Sequence, residues 1–232
     1  MFKKLLSAVL VSVCLAPLSG LLAAADDPLE WRFRVLLNDR EIGFHQFRVS
    51  PVDNGERVEI NAEFNVRVLF INAYSYTHQN EEHWQGNCLH RLESTTDDNG
   101  DLQRVVAEPA SGGFTVTTLG ESTIAQPGCI RSFAYWNPDF LDSTRLLNAQ
   151  TGEVVDVRIS QEQDEILQIN GEAVPASRYA IEMSDGTISL WYSRDSGYWL
   201  ALEAPTPGGR VLRYEPVDLP FALPVAGELA LR

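Results

Sequence analysis

From Trp31 onward apolar and polar residues alternate with a period of two. Trp31, Phe33, Val35 and Leu37 fall on one side of the pattern, and Arg32 and Arg34 on the other. That period places successive side chains on opposite faces of a β-strand. The cleanest run is Val58, Ile60, Ala62, Phe64, Val66 and Val68, interleaved with Glu59, Asn61, Glu63, Asn65 and Arg67. Similar patterns predict strands at Ile42–Val49, Phe70–His78, His83–Leu92, Leu102–Glu108 and Gly113–Leu119. They resume at Val154–Ser160, Glu165–Ile169, Ser177–Met183, Ile188–Ser193, Tyr198–Ala204 and Val211–Val217. Asn54-Gly55, Asn99-Gly100, Asn170-Gly171 and Asp185-Gly186 supply hairpin turns between them. Some ten to twelve strands joined by short turns predict a mainly β fold, a curved antiparallel meander or incomplete barrel.

One segment breaks the alternation. CIRSFAYWNPDFLDSTRLLNAQTGE, from Cys129 to Glu153, carries an aromatic cluster, an Asn-Pro pair and an apolar run. Asn137 suits an N-cap and Pro138 the first helical position. Phe140, Leu141, Thr144 and Leu147 follow at helical spacing. The reading is one short helix, Asn137–Leu147, packed on the concave face of the sheet.

The N-terminus carries Lys3 and Lys4, an apolar stretch Leu5–Leu15 and Ala23-Ala24-Ala25. This is the layout of a secretory signal peptide over residues 1–25, with a mature chain from Asp26. The mature β-rich domain spans 26–217, and a Pro-containing extension spans 218–232. The expected location is periplasmic or secreted, in soluble form. Export leaves Cys88 and Cys129 as the remaining cysteines, and an oxidising compartment favours a structural disulfide between them.

Removing Lys3 and Lys4 takes the formal net charge from −14 to −16 and leaves no lysine. So acidic a chain lacks the basic footprint of a nucleic-acid binder. It also lacks a lysine for Schiff-base or phosphate-loop chemistry. GESTI at Gly120 fails as a nucleophile elbow at its last position. Asp97, Asn99, Asp101 and Glu108 match part of a calcium-loop template, but Leu102 stands where its glycine belongs. His78, Glu81, Glu82 and His83 read as polar residues at a strand end. No cofactor and no metal is expected, no catalytic residues are assigned, and the balance leans away from an enzyme.

The remaining candidates lie in the interrupting segment. Phe133, Tyr135, Trp136, Phe140 and Leu141 would form one wall of an apolar pocket, with Arg131 and Arg145 placed to hold a head group. The alternative for the same aromatics is core packing between helix and sheet. The leading function is binding or carrying a lipid-like or other apolar small molecule. A structural or partner-binding envelope protein is the second reading, and an enzyme on lipid or sugar the third.

CLHRLESTTDDNG, CIRSFAYWNP and LLNAQTGE resemble a family of exported bacterial proteins known only as a domain of unknown function. The likeness runs from Trp31 to about Val217. Members accompany genes for cyclopropane-fatty-acid-synthase-like enzymes among others, which implies a link to envelope lipid. At the level of fold the chain also resembles the half-barrels of periplasmic lipoprotein carriers.

Overall fold

A computed structural model describes residues 27–68, 71–111, 113–119, 121–125, 128–206 and 208–223. The signal-peptide reading at 1–25 and the end of the extension, 224–232, lie outside the described residues. Eight strands run in sequence: β1 (Leu29–Leu37), β2 (Arg40–Val52), β3 (Gly55–Val68), β4 (Ile71–Gln85), β5 (Cys88–Asp98), β6 (Asp101–Ala110), β7 (Gly113–Thr118) and β8 (Glu121–Ala125). Five more follow after the crossing segment: β11 (Arg158–Ile169), β12 (Glu172–Met183), β13 (Gly186–Ser193), β14 (Trp199–Thr206) and β15 (Arg210–Asp218). Between the two sets lie the short strands β9 (Arg145–Leu147) and β10 (Val154–Asp156).

Each set is an antiparallel meander, and β15 pairs with β1 to fuse them into one 13-stranded sheet. Its order is β11-β12-β13-β14-β15-β1-β2-β3-β4-β5-β6-β7-β8. Among the described residues the ends β11 and β8 do not pair with each other, so the barrel stays open. The turns are those the sequence signals. Asn99 and Gly100 take φ of 54° and 95°, and Asn170 and Gly171 take 52° and 86°. Two positive φ values in a row match the right-handed twist of the flanking strands. The Gly86-Asn87 turn, by contrast, falls inside the span predicted as one strand, His83–Leu92. It separates β4 from β5.

Alternation sets the inner face. Trp31, Phe33 and Val35 of β1 are fully buried, as are Val58 of β3 and Trp199 of β14. Trp199 lies 4.2 Å from Phe33 and 5.1 Å from Phe47 between ring centroids. On β13, Leu190 and Tyr192 join this core, while Trp191 between them faces the other side. There Trp191 meets Ile169, Val174, Ala176 and Leu200, and the start of the C-terminal extension covers them through Leu219, Phe221 and Leu223. Phe221 also stacks on Tyr198 at 5.5 Å.

The interrupting segment crosses the interior of the curved sheet. Its helix is a single 3-10 turn, Pro138–Asp142, and does not run on to Leu147. The start signal is real: the Asn137 side chain accepts from the Asp139 N–H at 3.0 Å. The end comes early because Ser143 turns extended and donates its N–H to Phe140 O at 2.9 Å. Leu146 and Leu147 then form part of β9, both fully buried, paired with Val155 and Val154. A short apolar run buried on both faces satisfies strand and helix patterns alike, and tertiary pairing decides between them.

Candidate functional site

Cys88 begins β5 and Cys129 begins the crossing segment. The two are bridged, with Cα atoms 5.1 Å apart. Leu89 N–H donates to Ile130 O at 2.9 Å, and the Arg131 guanidinium donates to Asn87 O at 3.0 Å and Asp139 O at 2.9 Å. Leu147 N–H donates to Arg131 O at 2.8 Å, and the Tyr192 hydroxyl to Tyr135 O at 2.9 Å. The Ser94 hydroxyl donates to Ala149 O. Backbone polar groups of a segment inside a barrel need such partners, and these fix the segment at both ends and in the middle.

Among the described residues, two cavities lie between segment and sheet. The smaller, about 250 Å³, is walled by the sheet through His45, His78, Asn80 and Glu82. The segment supplies Ser132, Phe133 and Tyr135, and the β12–β13 turn supplies Met183 and Asp185. The larger, about 670 Å³, sits where strand ends gather. Leu37, Ile42, Phe64, Val66, Tyr74 and Tyr76 line it, as do Leu212 and Tyr214. His45 and Gln150 belong to both linings, so the two spaces adjoin. The larger volume lies within the range of small-molecule sites.

The seven residues singled out from the sequence separate in space. Phe133 and Tyr135 line the smaller cavity. Trp136 is 6% exposed and packs edge-on against Trp84, ring centroids 5.7 Å apart. Phe140 is 1% exposed and packs against Tyr135 at 5.9 Å. Leu141 is part-buried on the core. Arg131 is committed to the two carbonyls above, and Arg145 lies 3.5 Å from Asp156. Trp136, Phe140, Leu141 and both arginines are outside the two linings.

Sequence reasoning missed the polar stripe on the inner face of β4. Tyr76, His78, Asn80 and Glu82 all point inward, each at most 7% exposed. The signal was parity. Even positions from Tyr74 to Trp84 share one face, and Ser75, Thr77, Gln79, Glu81 and His83 share the other. Outside, Glu81 pairs with Arg57 at 2.6 Å and His83 at 3.0 Å. The strand therefore divides the acidic and histidine group that looked contiguous in sequence, and among the described residues no three such groups are disposed to hold a metal.

Each member of the stripe has a partner that explains its state. His78 Nδ1 lies 2.8 Å from the Thr96 hydroxyl, and burial holds its pKa down to about 4. His45 Nδ1 lies 3.0 Å from the Tyr214 hydroxyl. Its pKa is held down to about 3, by burial first and then by the charge of His78. Both rings are therefore neutral at neutral pH. Glu82 accepts from Asn80 Nδ2 at 2.9 Å and from Trp84 Nε1 at 2.8 Å, with Ser132 beside it. Burial nevertheless pushes its carboxyl above the usual range, against those hydrogen bonds. Three buried polar atoms of residues lining this space, His45 Nε2, Asn80 Oδ1 and Ser132 Oγ, have no hydrogen-bond partner among the described residues. Buried polar groups are seldom left so.

No curated protein matches this sequence. Among solved structures the chain is similar to a beta-barrel-like protein of the domain of unknown function DUF1849 from Brucella abortus. The match has 12% identity and a TM-score of 0.61, over 83% of this chain and 98% of that one. That likeness shows a shared barrel-like fold. The model of a further family, the domain of unknown function DUF6134, matches residues 33–217, and the chain belongs to that family.

Proposed function

We propose that this protein is an exported binding protein that holds a lipid-like, amphipathic small molecule inside its open barrel. The observation that carries the reading is the cavity of about 670 Å³, lined chiefly by aliphatic and tyrosyl side chains and adjoining a smaller, polar one. An apolar tail in the larger space gains about 0.8 kcal/mol per buried methylene. About sixteen, roughly 13 kcal/mol in all, leave the about 8 kcal/mol of micromolar affinity after ordering costs of about 5 kcal/mol. The disulfide between Cys88 and Cys129 supports an oxidising location. In this reading Phe133 and Tyr135 are ligand contacts, while Trp136 and Phe140 hold the segment that carries them.

The test is a titration with N-phenyl-1-naphthylamine, a neutral apolar dye that fluoresces when buried. Saturable binding at one site per chain, displaced by long-chain amphiphiles, supports the proposal. A larger residue at the wall, as in Val66→Trp, should weaken it. A linear, unsaturable signal in the folded wild type ends it.

A further inference from the structure

We infer that the ligand's polar end is a cation, a primary or substituted ammonium group, seated in the smaller cavity between Glu82, Asn80 and the Phe133 and Tyr135 rings. This rests on the proposed binding function and names the chemistry of its head end. Three features of the smaller cavity carry it. First, its lining contains two carboxyl groups, buried Glu82 and exposed Asp185 at the rim, and among the described residues no arginine or lysine. His45 and His78 add no positive charge at neutral pH.

Second, Asn80 is 6% exposed and its amide has one committed and one vacant end. Glu82 takes its NH2 at 2.9 Å, which fixes the amide orientation and leaves Oδ1 as an unpartnered buried acceptor. An acceptor of this kind calls for a donor, and an ammonium group has up to three. Third, Phe47, Phe133 and Tyr135 surround the same space with aromatic rings, whose faces attract cations. The desolvated carboxyl of Glu82 gains most from such a ligand, because a nearby positive charge offsets the cost of burying the anion. A carboxylate or phosphate head would find no cation in this lining and would meet the negative charge of Asp185 at the rim. His45 and Gln150, shared by both linings, let the chain of such a molecule pass into the larger cavity.

The experiment is competition against N-phenyl-1-naphthylamine by three saturated amphiphiles of equal chain length, an alkylamine, an alcohol and a fatty acid. They are used below micelle formation, at about 0.15 M salt, where charges beyond about 8 Å are screened. The amine is expected to compete at least tenfold better than the alcohol, and the fatty acid worse than either. Glu82→Gln should bring the amine-to-alcohol ratio close to one. Asp185→Asn, at an exposed turn that does not depend on a buried contact, should lower it two- to threefold even if the first variant fails to fold. Equal competition by amine and alcohol in the wild type overturns the inference while the dye binding leaves the carrier reading standing. Stronger competition by the fatty acid overturns it too. Absence of saturable dye binding removes both.

Discussion

Replacing both Cys88 and Cys129 with serine should lower stability by about 4 kcal/mol, nearly all of it through the unfolded chain. The bridge closes a loop with a sequence separation of 41 residues. The chain-entropy relation for a loop of that length gives about 13 cal/mol/K, or about 4 kcal/mol at 25 °C. Little is lost from the folded side. Cys129 is exposed and Cys88 part-exposed, so two serine hydroxyls there remain hydrated. The bonds from Leu89 N–H to Ile130 O and from Arg131 to Asn87 O hold the same junction without the sulfurs. For a domain of this size 1 kcal/mol moves Tm by roughly 2–4 °C, so the expected drop is about 8–16 °C. Thermal melts of the wild type with and without reductant, beside the double variant, give the answer. Reduced wild type and variant should melt together, and reductant should not move the variant. A variant melting within about 2 °C of the oxidised wild type would refute the loop-closure argument.

Gly43→Ala should be far more damaging than its chemistry suggests. A Cβ there would sit 1.8 Å from the Glu63 carbonyl oxygen, which is backbone and cannot swing away, so a loss of more than about 3 kcal/mol or failure to fold is expected. Gly86→Ala, also at positive φ but with open space around it, should cost only about 1 kcal/mol by urea denaturation. Trp136→Ala should cost about 3–5 kcal/mol, since the ring is buried edge-on against Trp84. Its indole N–H has no partner among the described residues, so Trp136→Phe should cost less than half as much in the same assay. Stability should fall as pH drops from about 6.5 toward 4, because His78 and His45 stay neutral when folded and take up protons when unfolded. For His78 this amounts to about 3 kcal/mol, and His78→Gln should flatten that slope in melts against pH. Glu82 acts in the opposite sense. Its raised pKa makes the folded state hold the proton longer, so its contribution declines as pH rises above the usual 4.5, and Glu82→Gln should remove that decline.

Most strands, most hairpins and the core-facing side of β1 and β3 were legible in the residues alone. These are local properties: period-two alternation and the backbone freedom of Asn-Gly act over a few residues whatever the rest of the chain does. But β8 was not legible, and the spans Val154–Ser160 and Glu165–Ile169 fall instead into β10 and one long β11. The pairing of the two cysteines was also legible, from their number and the predicted export. Nothing local signalled that β15 would pair with β1, because that contact joins residues such as Val35 and Tyr214 that are far apart along the chain. Nor could periodicity tell helix from strand at Leu146-Leu147, where burial on both sides came from β10 and the sheet. The aromatic cluster was visible, but its division was not. Phe133 and Tyr135 face the cavity, and Trp136 turns into the core because Trp84 lies there. The polar stripe of β4 was hidden for a different reason. Both faces of that strand are polar, so alternation marks no inside, and only the closure of sheet and crossing segment around His78, Asn80 and Glu82 makes one face an interior. Charge and hydrogen-bonding capacity are written in the residue types, but the burial that turns them into a site is a property of the whole fold.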